Sequence, residues 1–167
     1  MDPDAIAAKH GEAGERFVGL LRESADDLFK LVAEERIEAE AEQTGWVQPV
    51  HTPGRMKIAE RRVREWARRG APVELLDKSR MATKLGTDAW HGGWWNQTGG
   101  HVNPLALARG LARAVVERGG KIHGHAPVLA LNRAAPVWVA TLPHARITAR
   151  AVILATNAYT DAFAHLL

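Results

Sequence analysis

The chain begins with apolar side chains at helical spacing. They recur every three or four residues and form a single stripe: Phe17, Leu20, Leu21, Leu28, Leu31 and Val32. This periodicity predicts one long helix, or two helices joined between Gly11 and Gly14. An acidic stretch follows at residues 34–42. We interpret it as a solvated helix end and a connector.

A second helical pattern occupies the basic segment at residues 55–69. Its apolar positions also recur every three or four residues, and a further short helix capped by Asp77 is expected after it. The segment carries five closely spaced arginines: Arg61, Arg62, Arg64, Arg68 and Arg69. No nucleic-acid-binding motif accompanies them, and Glu60 and Glu65 dilute their charge. We therefore interpret them as the solvent face of a packed helix and predict no nucleic-acid partner.

The clearest helix start lies at Asn103. Its side-chain oxygen suits the N-cap position, and Pro104 fixes φ in the first turn. Apolar side chains then repeat at helical spacing until Gly119 and Gly120 supply a stop signal. The sequence thus predicts an amphipathic helix between these two points.

Short strands are predicted on both sides of that helix. Residues 46–51 alternate between apolar and polar side chains, as a strand does. Four more strand-like runs follow the helix, at residues 121–123, 127–131, 138–141 and 146–149. Pro143 and His144 predict a turn between the last two runs, which indicates a small antiparallel excursion.

The last apolar run, Ala151-Val152-Ile153-Leu154-Ala155, stops abruptly at Thr156-Asn157. It is short, rich in β-branched residues and free of charge, which predicts a strand covered on both faces, as in a parallel sheet. Ligands bind at the carboxyl ends of such strands, so small polar residues there are candidate ligand contacts. A strand followed by an ordinary turn is the alternative interpretation of this run.

Several further segments carry a family likeness. They are His91-Gly92-Gly93, residues 99–111, Pro127-Val128 and residues 152–160, and upstream also residues 44–47 and 74–77. Their order and spacing resemble the middle of the FAD-dependent amine and amino-acid oxidoreductases, the D-amino-acid oxidase family. The resemblance implies an α/β fold, or an α+β fragment. It would join part of an FAD-binding Rossmann-like domain to part of a substrate-binding domain with a mixed or antiparallel sheet.

The resemblance also implies a division of the chain. Residues 1–43 and 101–167 would belong to the FAD-binding domain, and residues 44–100 to the substrate-binding region. The family opens with a βαβ unit whose glycine-rich turn holds the FAD pyrophosphate, whereas this sequence contains no Gly-x-Gly-x-x-Gly. We therefore expect an internal fragment without the N-terminal unit and the C-terminal part, which does not bind FAD tightly alone.

Cofactor contacts follow from the resemblance alone. The backbone of Pro127 and Val128 would address the adenine of FAD. Ala155, Thr156 and Asn157 would line the dinucleotide. These segments would contact the cofactor without performing chemistry, and the sequence assigns no catalytic residue.

Residues 90–103 are a second candidate site because they combine glycine with tryptophan and histidine. Glycine lets the backbone approach a ligand, and a tryptophan face can pack on a flavin or hold an alkylammonium group by cation–π attraction. We predict that His91, Trp94 and His101 lie near a substrate pocket. Tryptophans that merely fill the space between the sheet and the helices are the alternative.

The resemblance implies oxidation of the CH–NH group of a small-molecule amine or amino acid. A hydride would pass from the α-carbon to FAD, the imine would be hydrolysed, and the flavin would be reoxidised. Two alternatives remain open. The chain could be a binding or structural subunit completed by a partner chain that supplies the glycine-rich turn, or an inactive remnant of such an enzyme.

Composition adds limits to these expectations. The chain of 167 residues is 46% hydrophobic and 25% charged, which is typical of a soluble globular protein. It shows no secretory signal, no apolar run of the roughly 20 residues that span a bilayer, and no cysteine. We predict a cytoplasmic protein. Eight histidines include His123 and His125, but no ligand spacing accompanies them, so no metal site is predicted.

Overall fold

A computed structural model describes residues 2–160 and residue 163. The chain divides between Gly120 and Lys121 into two compact units. The first unit contains helices α1 (Pro3–Glu34), α2 (Met56–Ala67), α3 (Lys78–Leu85) and α4 (Pro104–Glu117), and strands β1 (Trp46–Pro49), β2 (Val73–Leu76) and β3 (Gly93–Asn96). The second unit contains strands β4 (Ala130–Ala134), β5 (Val137–Thr141) and β6 (Arg146–Ala149). The predicted mixture of α and β structure is confirmed.

The first sheet is antiparallel, in the order β1-β3-β2. Trp94 of β3 lies opposite Gln48 of β1 and Leu75 of β2. Helix α2 packs on this face of the sheet, where Ala59 and Trp94 belong to one buried cluster. Helix α3 packs against the opposite face, where Lys84 lies over the Trp95 ring. The strand predicted over residues 46–51 is confirmed as β1.

The helix starts follow the sequence closely. Asn103 Oδ1 accepts a hydrogen bond of 3.1 Å from the Ala106 N–H, and Asp77 Oδ1 accepts one of 2.9 Å from the Arg80 N–H. Both predicted N-caps are confirmed. Helix α1 has a kink at Gly11, whose φ of 56° is left-handed, so the second of the two predicted alternatives, two helices joined between residues 11 and 14, is confirmed.

The connector after α1 differs from the prediction in one respect. Residues 35–45 contain no helix, as expected, but Ile37 and Ala39 are buried. They form a cluster with Val32, against which apolar residues of α4 pack. A Cβ on Gly110 would overlap the Ile37 side chain, so this glycine permits the close approach of α4 to the connector. The connector is therefore only partly solvated.

The basic face of α2 is paired with acidic residues of α1 and its N-cap. Arg61 and Arg62 both contact the Asp2 carboxylate, at 2.6 and 3.2 Å. Arg69 contacts Asp4 at 2.6 Å and Glu15 at 2.7 Å. The predicted solvent face is thus correct for Arg61, which is exposed, whereas Arg62 and Arg69 are half-buried.

The second sheet is also antiparallel, in the order β4-β5-β6. Its strands confirm the predictions for residues 138–141 and 146–149, and a 2.9 Å hydrogen bond from the Leu142 N–H to the Ala145 carbonyl closes the predicted turn. Residues 121–123 form no strand, contrary to prediction. Their side chains are exposed, so nothing in the described residues fixes them in a sheet.

The prediction of a parallel strand at residues 151–155 is wrong. The segment forms no strand, and Ile153 is 90% exposed. A central parallel strand needs a hydrogen-bonding neighbour on each side, and the strands of residues 2–160 pair only in antiparallel fashion. The apolar pattern is present, but the described chain offers it no partner.

No helix in the described ranges is both long enough and apolar enough to cross a membrane. The three regions predicted with boundaries after residues 43 and 100 remain a prediction.

Candidate functional site

The first unit contains a cavity of about 330 Å³ between α1, α2 and one face of the first sheet. This size lies at the lower end of the range of small-molecule pockets, roughly 300–1,000 Å³. We call it the sheet cavity. Its principal lining residues come from α1, β1, α2 and β3. They are Arg22, Trp46, Arg62, Trp66, Trp94 and Asn96.

The alternation of side chains along β1 and β3 brings the tryptophans of the sheet cavity to one face of the sheet. Trp46 and Gln48 of β1 share a face with Trp94 and Asn96 of β3, because side chains two residues apart point to the same side of a strand. The Trp46 and Trp94 rings meet edge to face, with centroids 5.3 Å apart and an interplanar angle of 78°. Trp66 of α2 adds a third indole. The cavity therefore offers flat apolar surfaces.

Hydrogen-bond donors dominate the polar part of the wall. The Trp94 side chain is 7% exposed, and its Nε1–H is buried without an acceptor among the described residues. Asn96 Oδ1 accepts hydrogen bonds from both the backbone N–H and the hydroxyl of Thr98, at 3.2 and 3.0 Å. Its amide therefore has two N–H donors left.

Two guanidinium groups add positive charge. Arg62 Nε lies 3.2 Å from Asp2 Oδ1, and its Nη groups have no acceptor within residues 2–160 and 163. Arg22 is more constrained, since its Nη groups donate to the Arg69 carbonyl and the Glu23 carboxylate. Arg62 is consequently the better donor for a ligand.

A second cavity of about 270 Å³ adjoins the first. The two share Gln48, Arg62 and Trp94, and the second continues to His51 and Arg55. Arg62 and Trp94 thus lie where both cavities meet, and a ligand larger than the sheet cavity can extend along α2.

The structure separates the three predicted pocket residues. Trp94 lines the sheet cavity, whereas His91 and His101 are exposed side chains elsewhere on the first unit. His91 donates its backbone N–H to the Val50 carbonyl, and His101 Nε2 lies 4.0 Å from Glu42 Oε2. In the described part of the chain, no three His, Asp or Glu side chains are placed to hold a metal ion.

Sequence reasoning missed Arg22, Arg62, Trp66 and Asn96. Arg62 belonged to a segment interpreted as a solvent face, and Trp66 to its apolar stripe. The sequence could have indicated Asn96, because the alternation of side chains along β3 puts it on the same side as Trp94. No local pattern indicates which helix covers that side.

The predicted cofactor-contacting residues lie in the second unit. Pro127, Val128, Ala155 and Asn157 are exposed, and Thr156 is half-buried. The hydroxyls of Thr156 and Thr160 lie 2.7 Å apart and share a hydrogen bond. The backbone of Asn157 is left-handed, with φ of 48°.

The sequence is similar to known oxidoreductases. The family model described as "FAD dependent oxidoreductase" (DAO) matches residues 5–167. The γ-glutamylputrescine oxidoreductase of Escherichia coli is 27% identical over 160 residues, which cover 95% of this chain and 37% of that protein. A probable oxidoreductase of Haemophilus influenzae, OrdL, is 39% identical over 90 residues, covering 53% of this chain and 21% of that protein. The chain thus spans well under half the length of these relatives.

Solved structures share the fold at low sequence identity. Glycine oxidase from Geobacillus kaustophilus gives a TM-score of 0.65 at 20% identity, covering 85% of this chain and 38% of that one. L-proline dehydrogenase from P. horikoshii gives 0.65 at 18% identity, covering 75% and 34%. Glycine oxidase from Bacillus cereus gives 0.67 at 16% identity, covering 78% and 38%. Because the family model matches nearly the whole sequence, the chain belongs to the DAO family of FAD-dependent oxidoreductases.

Proposed function

We propose that this chain is part of an FAD-dependent oxidoreductase that acts on the CH–NH group of an amine or amino acid. Family membership gives the oxidoreductase class and the cofactor. The names of the relatives support the substrate class, since glycine, L-proline and γ-glutamylputrescine are all nitrogen compounds. The observation that carries the proposal for this chain is the sheet cavity, which lies largely in the region predicted to bind substrate.

In the proposed reaction, the chain's own residues bind and orient the substrate. The indoles of Trp46, Trp66 and Trp94 exclude water from its apolar part, and Arg62 fixes its polar end. When bound, FAD supplies the acceptor for the hydride that leaves the carbon beside nitrogen. The substrate's CH–NH group becomes an imine, which water then hydrolyses.

The predicted cofactor residues fit FAD only in part. Pro127, Val128 and Ala155 offer exposed backbone and small or apolar side chains, which suit contact with a flat ring. None of the five carries a positive charge, and the Thr156 hydroxyl is already bonded to Thr160. They therefore suit the flank of a dinucleotide and not its pyrophosphate. We derive no catalytic step from them.

Visible absorbance tests the cofactor part of the proposal. The purified chain is mixed with FAD, desalted and scanned for flavin bands at roughly 370 and 450 nm. The proposal predicts weak binding, detected as a shifted spectrum in the presence of free FAD and lost on desalting. Anaerobic bleaching of the 450 nm band by glycine, L-proline or γ-glutamylputrescine would show amine oxidation directly. No spectral change at any FAD concentration would contradict a cofactor contact in this chain.

A matched pair of variants locates that contact. We expect Thr156→Val to weaken FAD binding, because it removes the hydrogen bond to Thr160 that holds the predicted dinucleotide-lining segment in place. Thr148→Val changes an exposed threonine of β6 in the same unit and serves as the control. Equal affinity in both variants would remove Thr156 from the cofactor site.

A partner-dependent subunit is the second candidate function. Several apolar side chains of the second unit are solvent-exposed, with Ile153 at 90% and Tyr159 at 87%. Exposed apolar side chains on this scale favour a binding partner. We propose that such a partner supplies the glycine-rich turn that this sequence lacks. Size-exclusion chromatography with a chain carrying that turn tests it, and co-elution with retained flavin is the expected result.

A further inference from the structure

We infer that the sheet cavity recognises a neutral amide group, with Asn96 donating to its carbonyl oxygen and Gln48 accepting from its N–H. The substrate class is therefore an amine that also carries an amide. This inference rests on the proposed function, which assigns the sheet cavity to substrate. Binding to the first unit is measured without FAD, so a failure here is distinguishable from a failure of the cofactor test.

The first argument is the placement of the two carboxamide side chains on the sheet. In the register of β1 and β3, Gln48 lies opposite Trp94, and Asn96 lies opposite Trp46. All four side chains line the cavity from the same face of the sheet. The two indoles therefore occupy one diagonal of this group and the two carboxamides the other. Diagonal neighbours on adjacent strands are roughly 7–8 Å apart, within reach of long side chains.

The second argument is the hydrogen-bonding capacity of these carboxamides. Asn96 Oδ1 accepts from the backbone N–H and the hydroxyl of Thr98, at 3.2 and 3.0 Å, which leaves the Asn96 NH₂ group to donate. Gln48 is half-buried, and no hydrogen bond within residues 2–160 involves its side chain, so its Oε1 is left to accept. An amide presents one acceptor and one N–H donor in opposite directions. It thus matches a donor on one side and an acceptor on the other.

The third argument is shape. The Trp46 and Trp94 rings lie between the two carboxamides, with centroids 5.3 Å apart. An amide group is planar, so it can lie flat against an indole while its two ends reach the polar side chains. Trp66 of α2 and Val73 of β2 add apolar surface for the carbon chain that carries the amide.

The fourth argument is charge, because the guanidinium groups near the cavity already have partners. Arg62 Nε lies 3.2 Å from Asp2, and Arg22 contacts the carboxylate that follows it in the sequence. Arg61, which shares Asp2, also lies 3.7 Å from Glu65 Oε1. Each guanidinium therefore has a carboxylate close to it. A neutral hydrogen-bonding group matches this balance better than a second ion does.

An NMR titration of the FAD-free chain tests the inference with three amines. They are N-(4-aminobutyl)acetamide, its N-methylated amide, and 6-aminohexan-1-ol. Each carries one ammonium group, so the contribution of that group is shared. The acetamide is expected to bind about fivefold or more tightly than the other two, because the N-methylated compound lacks the N–H donor and the alcohol cannot span both side chains.

The other outcomes of this titration count against the inference. Equal affinity of the alcohol would overturn amide recognition. Equal affinity of the N-methylated compound would overturn the contact from the amide N–H to Gln48. The absence of binding by all three amines would overturn the inference as a whole.

Variants locate each hydrogen bond. Asn96→Asp keeps an oxygen that accepts from Thr98 and replaces only the NH₂ group. A new carboxylate attracts every ammonium probe, so the readout is the ratio of acetamide affinity to alcohol affinity. This ratio is expected to fall about fivefold, while thermal unfolding shows that the fold is retained. An unchanged ratio would remove Asn96 from amide recognition.

Gln48 has a closely matched control. Gln48→Met keeps the length of the side chain and removes its polar atoms, so it is expected to weaken acetamide binding about fivefold. Gln97→Met makes the same change at an exposed glutamine outside the cavity lining. Equal affinities in these two variants would overturn the role of Gln48.

The carboxamide signals report the location directly. In a ¹H–¹⁵N spectrum, the side-chain NH₂ signals of Gln48 and Asn96 are identified by their loss in Gln48→Met and Asn96→Asp. The acetamide is expected to shift both signals, whereas that of Gln97 stays in place. Unmoved Gln48 and Asn96 signals at saturating acetamide would contradict binding in the sheet cavity.

Discussion

The two antiparallel sheets of the chain have the same number of strands but very different burial. The first sheet carries Trp94 and Leu76 in buried positions, with helices on both faces. The second sheet buries Leu131 alone among its described side chains. Apolar side chains that follow it, such as Ile153, are exposed.

This difference shows that a strand pattern and a buried core are separate properties. Strands β1, β5 and β6 were predicted from alternation and turn residues, which act locally. Burial needs a second layer of structure, and the first unit supplies it with α2 and α3. The sheet cavity forms on the covered sheet, where side chains from α1, α2, β1 and β3 converge.

The largest expected effect contrasts a core side chain with an exposed one. Met81 is 0% exposed, so Met81→Ala is expected to lower the free energy of unfolding by about 2–5 kcal/mol. Ile153→Ala is expected to change it by less than about 0.5 kcal/mol, because the Ile153 side chain already contacts water. Urea unfolding followed by circular dichroism measures both. Similar losses of unfolding free energy in the two variants would contradict the difference in burial between the two units.

A smaller effect is expected at the start of α4. Asn103→Ala removes the N-cap acceptor for the Ala106 N–H and should lower the free energy of unfolding by about 0.5–2 kcal/mol. Asn132→Ala on β4 is the control, since that asparagine is exposed on the second sheet. The same urea experiment compares them, and an unaffected Asn103→Ala would show that α4 does not depend on its cap.

The ion pairs between α1 and α2 predict an acid-sensitive first unit. Hydrogen bonds from Arg69, and for Asp4 also from Arg68, lower the pKa of Asp4 and of Glu15 below their ordinary values of 3.8 and 4.5. A carboxyl with a lowered pKa in the folded state stabilises the fold above its ordinary pKa. That stability is lost as the pH falls below about 4.5 and through the lowered values.

Thermal unfolding between roughly pH 3 and pH 6, the range in which carboxyl groups titrate, measures this effect. Arg69→Gln should flatten the pH dependence below pH 5, because it removes the contacts that lower both pKa values. Arg64→Gln is the control, since Arg64 is an exposed arginine of α2 with no ion pair among the described residues. An unchanged profile in Arg69→Gln would rule out these pairs as its cause.

The smallest effect compares one cation–π contact in each unit. Lys84 Nζ lies 3.4 Å from the Trp95 ring centroid, whereas the Arg133 guanidinium lies 5.8 Å from that of Trp138. Lys84→Gln is expected to lower the free energy of unfolding by about 0.5–1 kcal/mol, and Arg133→Gln by less. Equal changes would show that the shorter contact adds no stability of its own.

Sequence was most informative where the deciding contacts are local. The caps of α3 and α4 and the kink at Gly11 depend on neighbouring residues, so their patterns predicted them correctly. Residues 151–155 show the limit of this reasoning. Their apolar composition predicts burial, but burial depends on partner strands, and the described strands provide none.

The candidate site shows the same limit. Trp94 was predicted near a pocket from its glycine-rich surroundings, and it does line the sheet cavity. Arg62 was missed, because whether an arginine on an amphipathic helix faces solvent or a cavity depends on the element packed beside it. Here α1 lies beside α2, about 60 residues away in sequence, as the pairing of Asp2 with Arg62 shows.

Hydrogen exchange with mass spectrometry, with and without γ-glutamylputrescine, tests most directly the claim that the covered sheet carries the ligand site. The account predicts slower exchange on ligand addition in peptides from β1 and from residues 93–98, and unchanged exchange in β4 to β6. Protection confined to the second sheet, or its absence from residues 93–98 at saturating γ-glutamylputrescine, would contradict it.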